Sequence, residues 1–509
     1  MEVKNINKDA VFGILGICGI NGNLVARILK DKGYNVIGTD LSKKENCTFL
    51  KSLENYDIKI YYESHPEEFF KESDYIFYPP GLSKEIALYK KIQDNNIPII
   101  EIEDIFKLLK SEKPVIGITG TNGKTTTTNL LKAIAYDYNL KPSEHNLLDM
   151  QGNSHYIPAL QSLLNGDVAI LEAGTFGDKG SIELTSKLSR MDTGIITNIT
   201  PDHLELGKDF LSYANIKGEM IKELNGKQLI VNSNDPTIMG LIRDYNFKGD
   251  LITFGVDSET FNLSTKKCVC KNYLAIDEII SGSGYYNCEC GLKTSKPKYL
   301  AKNIDLENNS FILETPEGEF KIKMKLKGIH NVFNVTGAIV AAREFLKIPY
   351  ENIIESVFNF TGVPGRMESL GVIQNKKVIV DYAHNPGGVE TVLREFKKIY
   401  GDFTLILTVS SESGLIGDEK IFDIALKFAK YIIPSSKASQ KIAKSKINEK
   451  PELKEKIILP KLNESFDKDG TLGATSEDVL KSFNEGLSLD PQTIIAIGEA
   501  AIKFKSVFK

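Results

Sequence analysis

The stretch "GITGTNGKTTTTNLL", Gly117 to Leu131, sets three glycines, one lysine and a run of four threonines between an apolar run and an apolar tail. A lysine that follows a glycine turn and opens a helix brings backbone amides, a helix N-terminus and an ammonium group onto polyphosphate oxygens. The general pattern G-x-x-x-x-G-K-[ST] is incomplete, because Ile118 stands where its first glycine belongs. A glycine and threonine turn without a nucleotide is the alternative, but the strand before the loop and the helical pattern after it favour a phosphate loop.

Further strand-like runs follow, and polar residues stand where they end. Glu172 lies in "ILEAGTFG" and His203 in "NITPDHLE". Parallel strands place such side chains at one edge of a sheet, beside the phosphates, although each is by itself an ordinary polar residue at a strand end. A carboxylate suits Mg2+, whereas a histidine ligand is less usual for this ion.

An earlier glycine turn lies in "VFGILGICGINGNLVARILKDKGYNVIGTD", with Gly16, Gly19 and Gly22 and an acid, Asp40, about 20 residues on. This variant of a dinucleotide-type turn favours backbone approach to a diphosphate. A tight strand-to-helix turn that binds nothing remains open, because glycine spacing alone specifies function loosely.

Composition limits the classes of partner. The chain has 509 residues, a net charge of -4, 41% hydrophobic and 26% charged residues, which is typical of a globular protein of about three domains. The charge gives no footprint for nucleic acid or an anionic membrane, and "AVFGILGICGI" is too short to span a bilayer. We expect no nucleic-acid partner, no membrane insertion and a cytoplasmic location.

Four of the six cysteines fall in two close pairs, Cys268 with Cys270 and Cys288 with Cys290. Two pairs separated by a hairpin-length spacer suit a tetrahedral sulfur site, and six cysteines are too few for a disulfide framework. Zinc is predicted, although the usual knuckle is C-x-x-C and both pairs here are C-x-C. Free thiols and a disulfide remain alternatives.

Seven motifs, in this order and at these separations, resemble those of the Mur ligase superfamily: "GITGTNGKTT", "EAGTFG", "NITPDHLE", "YANIK", "GIHNVFNVTGA", "GRMES" and "DYAHNP". The resemblance runs from about residue 113 to residue 386 and continues more faintly beyond. It implies an α/β protein of three domains. These are a Rossmann-like substrate domain at 1–112, a P-loop ATP domain at 113–360 with a four-cysteine zinc ribbon inserted at about 266–305, and a Rossmann-like ligase domain at 361–509.

The resemblance also implies a reaction: ATP converts a carboxylate to an acyl phosphate, and an amine displaces phosphate to give an amide. Lys124 would hold the β- and γ-phosphates, Thr125 and Glu172 one Mg2+, and His203 a second. Lys217, in "YANIK", matches a lysine that is often carbamylated into a magnesium ligand. The residues expected at ATP are Gly120, Thr121, Asn122, Gly123, Lys124, Thr125, Thr126, His330, Asn331, Arg366, Asp381, His384 and Asn385. Since the last four follow the central domain, we expect hinge closure to assemble the site.

The first glycine turn resembles the N-terminal domain of ligases that act on UDP-N-acetylmuramate, which implies a UDP-linked substrate at Gly16, Gly19, Asn21, Gly22 and Asp40. The cysteine segment resembles the ribbon of murein-amidating subunits, where the metal is structural. Together these features fit the archaeal pseudomurein peptide ligases best, with a UDP-linked amino acid or peptide and a free amino acid as substrates. Two alternatives stay open: an amide synthetase of a cofactor such as a nickel tetrapyrrole, and a nucleotide-binding subunit of an amidating complex.

Overall fold

The computed structural model describes residues 6–146, 156–175, 177–201, 209–259, 261–280, 282–409, 414–462 and 474–508. The fold is α/β, with several sheets in which most neighbouring strands run parallel. This confirms the predicted fold class at that level. In the described part of the chain, no helix is both long and apolar enough to cross a bilayer.

The first sheet has the order β3-β2-β1-β4-β5 and is parallel throughout. Strand order reverses between β1 and β4, and the carboxyl ends at such a reversal form a crevice suited to a ligand. The first glycine turn follows β1 at this position. The elements are β1 (Val11–Leu15), α1 (Ile20–Asp31), β2 (Asn35–Asp40), α2 (Leu50–Leu53), β3 (Lys59–Tyr62), α3 (Glu67–Glu72), β4 (Tyr75–Phe77), α4 (Ala87–Asp94), β5 (Ile99–Ile100) and α5 (Ile102–Leu108).

The second sheet has the order β16-β15-β14-β10-β9-β8-β6-β7, and its strands from β14 to β7 are parallel. Strands β6, β7 and β8 are buried throughout, as expected where helices cover both faces of a sheet. The elements are β6 (Val115–Thr119), α6 (Lys124–Asp137), α7 (Ile157–Gln161), β7 (Ala169–Glu172), α8 (Ser181–Ser189), β8 (Thr193–Ile196), α9 (Phe210–Lys217), α10 (Glu219–Glu223), β9 (Gln228–Asn232), α11 (Pro236–Asp244), β10 (Asp250–Val256), β11 (Asn262–Lys267), β12 (Tyr273–Ile280), β13 (Ser283–Tyr286), β14 (Tyr299–Asp305), β15 (Ser310–Thr315), β16 (Gly318–Lys323), α12 (Ile329–Glu344) and α13 (Tyr350–Asn359).

Strands β11, β12 and β13 form a separate antiparallel sheet, inserted between β10 and β14 of the central sheet. The four clustered cysteines lie in the two turns beside these strands. We call residues 262–294 the cysteine insertion.

The last sheet has the order β17-β18-β21-β19-β20, with only the β17–β18 pair antiparallel among the described strands. The elements are β17 (Glu368–Ile373), β18 (Lys376–Asp381), α14 (Pro386–Tyr400), β19 (Thr404–Thr408), α15 (Gly414–Phe428), β20 (Tyr431–Pro434), α16 (Lys437–Glu449), α17 (Ser476–Leu487), β21 (Thr493–Gly498) and α18 (Glu499–Phe508).

The first and central parts of the chain are joined by α7 and by a buried polar contact. Ile157, Leu160 and Leu164 belong to the same buried cluster as the first sheet, although they follow α6 in sequence. The Arg27 guanidinium, on α1, donates a hydrogen bond of 2.7 Å to the carbonyl of His145. The two parts therefore share a packed junction.

Candidate active site

The glycine and lysine loop connects β6 to α6, as the sequence predicts. Gly123 has a φ of 85°, in the left-handed region, and Lys124 is the first helical residue after it. A Cβ on Gly123 would lie 2.1 Å from the Asn334 side-chain oxygen, so only glycine fits. Lys124 Nζ donates to the Thr121 carbonyl at 2.8 Å, which places the ammonium over the loop.

The loop is braced by the segment after β8. Thr121 N–H donates to the Asn198 carbonyl at 2.8 Å, and Asn122 N–H donates to the Asn198 side-chain oxygen at 3.1 Å. The Thr197 hydroxyl donates to the Asn122 carbonyl at 2.7 Å. The shape of the phosphate loop therefore depends on the position of residues 197 and 198.

Of the predicted magnesium residues, Thr125 and Glu172 are in contact, and Lys217 lines the same cavity. Thr125 Oγ1 donates to Glu172 Oε1 at 3.2 Å, and Glu172 is only 5% exposed at the end of β7. Lys217 ends α9 and is 1% exposed, with its Nζ 5.6 Å from the centre of the Tyr213 ring. His203 lies outside the described residues.

Residues at the start of α12 line the same cavity as the phosphate loop. The Asn331 side-chain amide lies 3.1 Å from His330 Nε2 and donates to the Lys327 carbonyl at 2.8 Å. Burial lowers the pKa of His330 to about 4, so the ring is neutral at pH 7.

The last part of the chain contributes a cation, Arg366, an acid, Asp381, and the side chains of His384 and Asn385. Arg366 Nη1 donates to the Tyr382 carbonyl at 3.2 Å. Asp381 accepts hydrogen bonds from the amides of Met367 and Ala383, both at 2.7 Å, and burial raises its pKa against the lowering effect of Arg366.

The central and last parts of the chain meet at the phosphate loop itself. Asn385 Nδ2 donates to Asn122 Oδ1 at 3.0 Å, and the side-chain oxygen of Asn385 caps α14. The expected proximity of residues 366–385 to the loop is thus present in this structure.

These groups line one cavity, which lies between the second sheet and the last sheet. Predicted residues that line it are Thr121, Asn122, Gly123, Lys124, Thr125, Thr126, Glu172, Lys217, His330, Asn331, Arg366, Asp381 and His384. Gly120 and Asn385 lie beside the cavity without lining it, Asn385 through its contact with Asn122.

The first glycine turn forms a second candidate site. A Cβ on Gly22 would lie 2.4 Å from the Gly16 carbonyl oxygen, so the turn requires glycine there. Gly19 N–H donates to the same Gly16 carbonyl at 3.0 Å. Asp40 accepts from Cys18 N–H at 3.0 Å and from Ser42 N–H at 2.9 Å. The acid therefore shapes the turn.

Two features of these sites have no signal in the sequence. Cys18, inside the first glycine turn, forms a disulfide with Cys47. Ile280 and Ser283 of the cysteine insertion line the nucleotide-side cavity. A spacing of 29 residues between isolated cysteines gives no signal for the first, and the contact of a remote hairpin with the cavity gives none for the second.

The four cysteines outside the disulfide lie together. Their sulfur atoms are all within 4.8 Å of one another, with Cys268 to Cys290 at 3.8 Å and Cys270 to Cys288 at 3.7 Å. The Arg243 guanidinium, 3.3 Å from the Cys290 sulfur, lowers the pKa of that thiol to about 6.

Comparison with known proteins first identifies the central part of the chain. The Mur ligase middle domain matches residues 118–275. A UDP-N-acetylmuramate–L-alanine ligase of Acetivibrio thermocellus is 26% identical over 416 residues, 80% of this chain and 77% of that protein.

Solved structures extend the match to the whole chain. A pseudomurein peptide ligase type C from Methanothermus fervidus is 35% identical, with a TM-score of 0.82 over 98% of this chain and 99% of that one. A UDP-N-acetylmuramate-alanine ligase from Thermotoga maritima, 17% identical with a TM-score of 0.59 and 98% of each chain covered, shares the fold. The chain therefore belongs to the Mur ligase family of ATP-dependent peptide ligases.

Proposed function

We propose that this protein uses ATP to join a UDP-linked carboxylate to an amino acid, in the assembly of a pseudomurein-type wall peptide. The observation that carries the proposal is the cavity between the second and last sheets, where Lys124, Glu172, Lys217 and Arg366 converge. The names of the relatives support the substrate class, because they are ligases of UDP-N-acetylmuramate and of pseudomurein peptides.

The chemistry needs activation, because direct attack of an amine on a carboxylate would have to expel oxide, which is a very poor leaving group. Attack of a carboxylate oxygen on the γ-phosphorus of ATP releases ADP and gives an acyl phosphate. The amine of the incoming amino acid then attacks the acyl carbon, loses a proton, and phosphate leaves as the amide forms. The protein's task is to position these groups and to stabilise the phosphoryl charge.

Each cation has a place in this scheme. Lys124 and the amides at the start of α6 bind the β- and γ-phosphates. Arg366 approaches the same phosphates from the last sheet, held by the Tyr382 carbonyl. Asn331 and the neutral His330 contact the adenine side, and Asp381, His384 and Asn385 complete the wall contributed by the last sheet.

Magnesium fits the donors at the end of β7. Thr125 Oγ1 and Glu172 Oε1 are 3.2 Å apart, near the separation of about 2.9 Å that adjacent oxygens of an octahedral Mg2+ adopt at metal–oxygen distances of about 2.05 Å. Bound Mg2+ would offset phosphate charge. Lys217, if carbamylated, would add carboxylate-like oxygens, and His203 remains the predicted ligand of a second ion.

The first glycine turn is proposed to hold the UDP diphosphate. Support comes from its position at the strand-order reversal. Asn21, whose buried side-chain oxygen has no hydrogen-bond partner among the described residues, would accept from a hydroxyl or N–H group of the UDP moiety rather than contact the diphosphate. Asp40 acts by holding Cys18 N–H and Ser42 N–H in the turn.

Zinc fits the four cysteines. A tetrahedral ion with sulfur at about 2.3 Å separates its ligands by about 3.8 Å, the spacing seen for Cys268 with Cys290 and Cys270 with Cys288. We propose a structural Zn2+ there.

The domain limits 1–112, 113–360 and 361–509 are proposed likewise, supported by the separate sheets.

The decisive experiment measures phosphate release from ATP with Mg2+ while UDP-linked acids and single amino acids are varied, and weighs the products by mass spectrometry. A product one residue heavier, formed only from a UDP-linked acid, is the expected result. Turnover only with a free cofactor acid or ammonia would retain the ligase chemistry and overturn the wall assignment. Absence of turnover with any acceptor would favour a nucleotide-binding subunit.

A further inference from the structure

We propose that Lys266, on the cysteine insertion, is a positioning residue for residues 197–199 after β8 and for the start of α9, and so connects the insertion to the magnesium side of the active site. The inference rests on the proposed function. It names a role for a residue outside every motif of the sequence analysis.

Lys266 forms a buried ion pair with a residue of the central fold. Its Nζ lies 2.8 Å from Asp235 Oδ1, and the two side chains are 6% and 0% exposed. The same Nζ donates to the Gly282 carbonyl at 3.0 Å, within the insertion. Buried charges need partners, so the ammonium ties the insertion to Asp235, immediately before α11.

Asp235 passes this contact to the strand end that braces the phosphate loop. Its second oxygen, Oδ2, accepts a hydrogen bond of 2.6 Å from the Ile199 amide, and Oδ1 accepts another of 2.8 Å from the Thr237 amide. Ile199 directly follows Asn198, whose side chain and carbonyl hold the loop amides. The carboxylate can keep this arrangement only while its charge is compensated.

A second hydrogen-bond path runs in parallel. Asn232 Nδ2 donates to the Thr197 carbonyl at 3.0 Å and lies 3.3 Å from the Ser283 hydroxyl of the insertion. The insertion is therefore linked to residues 197–199 by two paths, one through Asp235 and one through Asn232.

Lys266 also contacts the first residue of α9. Its Nζ lies 5.9 Å from the centre of the Phe210 ring, within the range of a cation–π contact. Phe210 begins α9, which carries Lys217 and also Tyr213, whose hydroxyl lies 3.3 Å from Thr121 Oγ1 of the phosphate loop. One ammonium thus contacts both the aspartate that holds the Ile199 amide and the first residue of α9, the helix that carries Lys217.

The test compares Lys266→Met with Lys293→Met, which removes the same charge from an exposed site of the insertion. Two quantities are measured: the Mg2+ concentration for half-maximal phosphate release, and hydrogen exchange in a peptide containing Ile199. Loss of a residue that orients metal ligands typically costs about 10- to 100-fold in metal affinity or activity. We expect a rise of about tenfold or more in the Mg2+ requirement for Lys266→Met, faster exchange at Ile199, and wild-type values for Lys293→Met.

The readouts separate this inference from the proposed function. Equal Mg2+ dependence and equal Ile199 exchange in the two variants would overturn the role of Lys266. Absence of turnover in the wild-type protein would overturn the function, while the exchange comparison would still test the positioning. If circular dichroism shows that Lys266→Met does not fold, Lys266→Gln replaces it, because its amide keeps a donor toward Asp235, and a smaller change in the same direction is expected.

Discussion

Two strand–glycine–helix turns, at Gly16 to Gly22 and at Gly120 to Lys124, share a local shape and differ in their neighbours. At Gly22 an added Cβ would meet the Gly16 carbonyl of the same turn, at 2.4 Å. At Gly123 it would meet the side-chain oxygen of Asn334, at 2.1 Å, on a helix across the cavity. The first glycine is required by the turn itself, and the second by the wall of a binding site.

The acids beside the two turns differ in the same way. Asp40 uses one oxygen to hold the Cys18 amide, so it stabilises the turn. Glu172 instead faces the Thr125 hydroxyl beside a lysine, an arrangement of donors that suits a metal and polyphosphate. Glycine spacing therefore specifies a turn, whereas the charges and hydroxyl groups around the turn specify its chemistry.

The largest expected effect is at the only lysine of the two turns. Lys124→Ala should reduce ATP turnover on the order of a thousandfold or more, because it removes the cation that holds the transferring phosphoryl group. Phosphate release measured with the identified substrates checks this. Lys141→Ala, which removes an exposed lysine of the central part, is the control, and turnover at the normal rate in Lys124→Ala would remove the phosphate-loop hypothesis.

A large effect is also expected at Arg366, which reaches the phosphates from the last sheet. Arg366→Ala should lower kcat about 100-fold while ATP binding changes little, because the contact matters most when phosphoryl charge develops. Single-turnover rates and ATP titration by calorimetry measure the two quantities. Arg394→Ala, where the side chain pairs with Glu390 on α14, should leave both unchanged, and equal loss of rate and binding at Arg366 would argue against this role.

The sequence predicted the parts of the site that depend on local pattern. Strand, glycine turn and helix follow one another at β6 to α6, and the carboxyl end of β7 carries Glu172, because parallel strands expose their ends at one edge. The alternation of strands and helices was sufficient for the fold class. Family motifs added Arg366 and Asp381, which no spacing rule connects to the loop.

Contacts between distant parts of the chain could not be predicted. Lys266 looks like a solvated strand lysine until Asp235, 31 residues away, is seen beside it in a buried site. The helix α7 follows the phosphate-loop helix in sequence, and yet its apolar side chains belong to the buried cluster of the first part of the chain. Such pairings are fixed by the packing of whole elements, which periodicity does not encode.

A smaller effect should separate the two glycine turns directly. Gly22→Ala should raise KM for the UDP-linked substrate about tenfold and leave KM for ATP unchanged, whereas Gly123→Ala should do the reverse. The reason is that each added methyl group disturbs a different binding site. A tenfold change corresponds to about 1.4 kcal/mol of binding free energy. Gly33→Ala is the control, because φ is positive there, as it is at Gly123, but no atom lies within 4 Å of the added Cβ. Parallel changes in both KM values would mean that the first turn does not hold the UDP group.

The last expected effect concerns stability rather than activity, and is a pH dependence shared by the neighbourhoods of the two turns. Burial lowers the pKa of His145, near Arg27 and Lys132 at the first junction, to about 4, and burial alone does the same for His330 beside the nucleotide cavity. The unfolded chain binds these protons at about pH 6.5, so the free energy of unfolding should fall as pH drops from about 6.5 to about 4, by up to about 3 kcal/mol for each histidine.

Urea unfolding at several pH values in this range, compared between wild type and His145→Gln and His330→Gln, checks the assignment. Carboxylates protonate in all three proteins, so only the difference in slope reports the histidines. Each variant should flatten the decline, and the two effects should add, because the residues lie on different elements and share no partner. MgATP should protect the wild type at His330 but leave the slope due to His145 unchanged, since only His330 lines the cavity. If neither variant reduces the fall in the free energy of unfolding, both histidine rings are protonated in the folded protein over this pH range. Their surroundings would then be more hydrated than the packing implies.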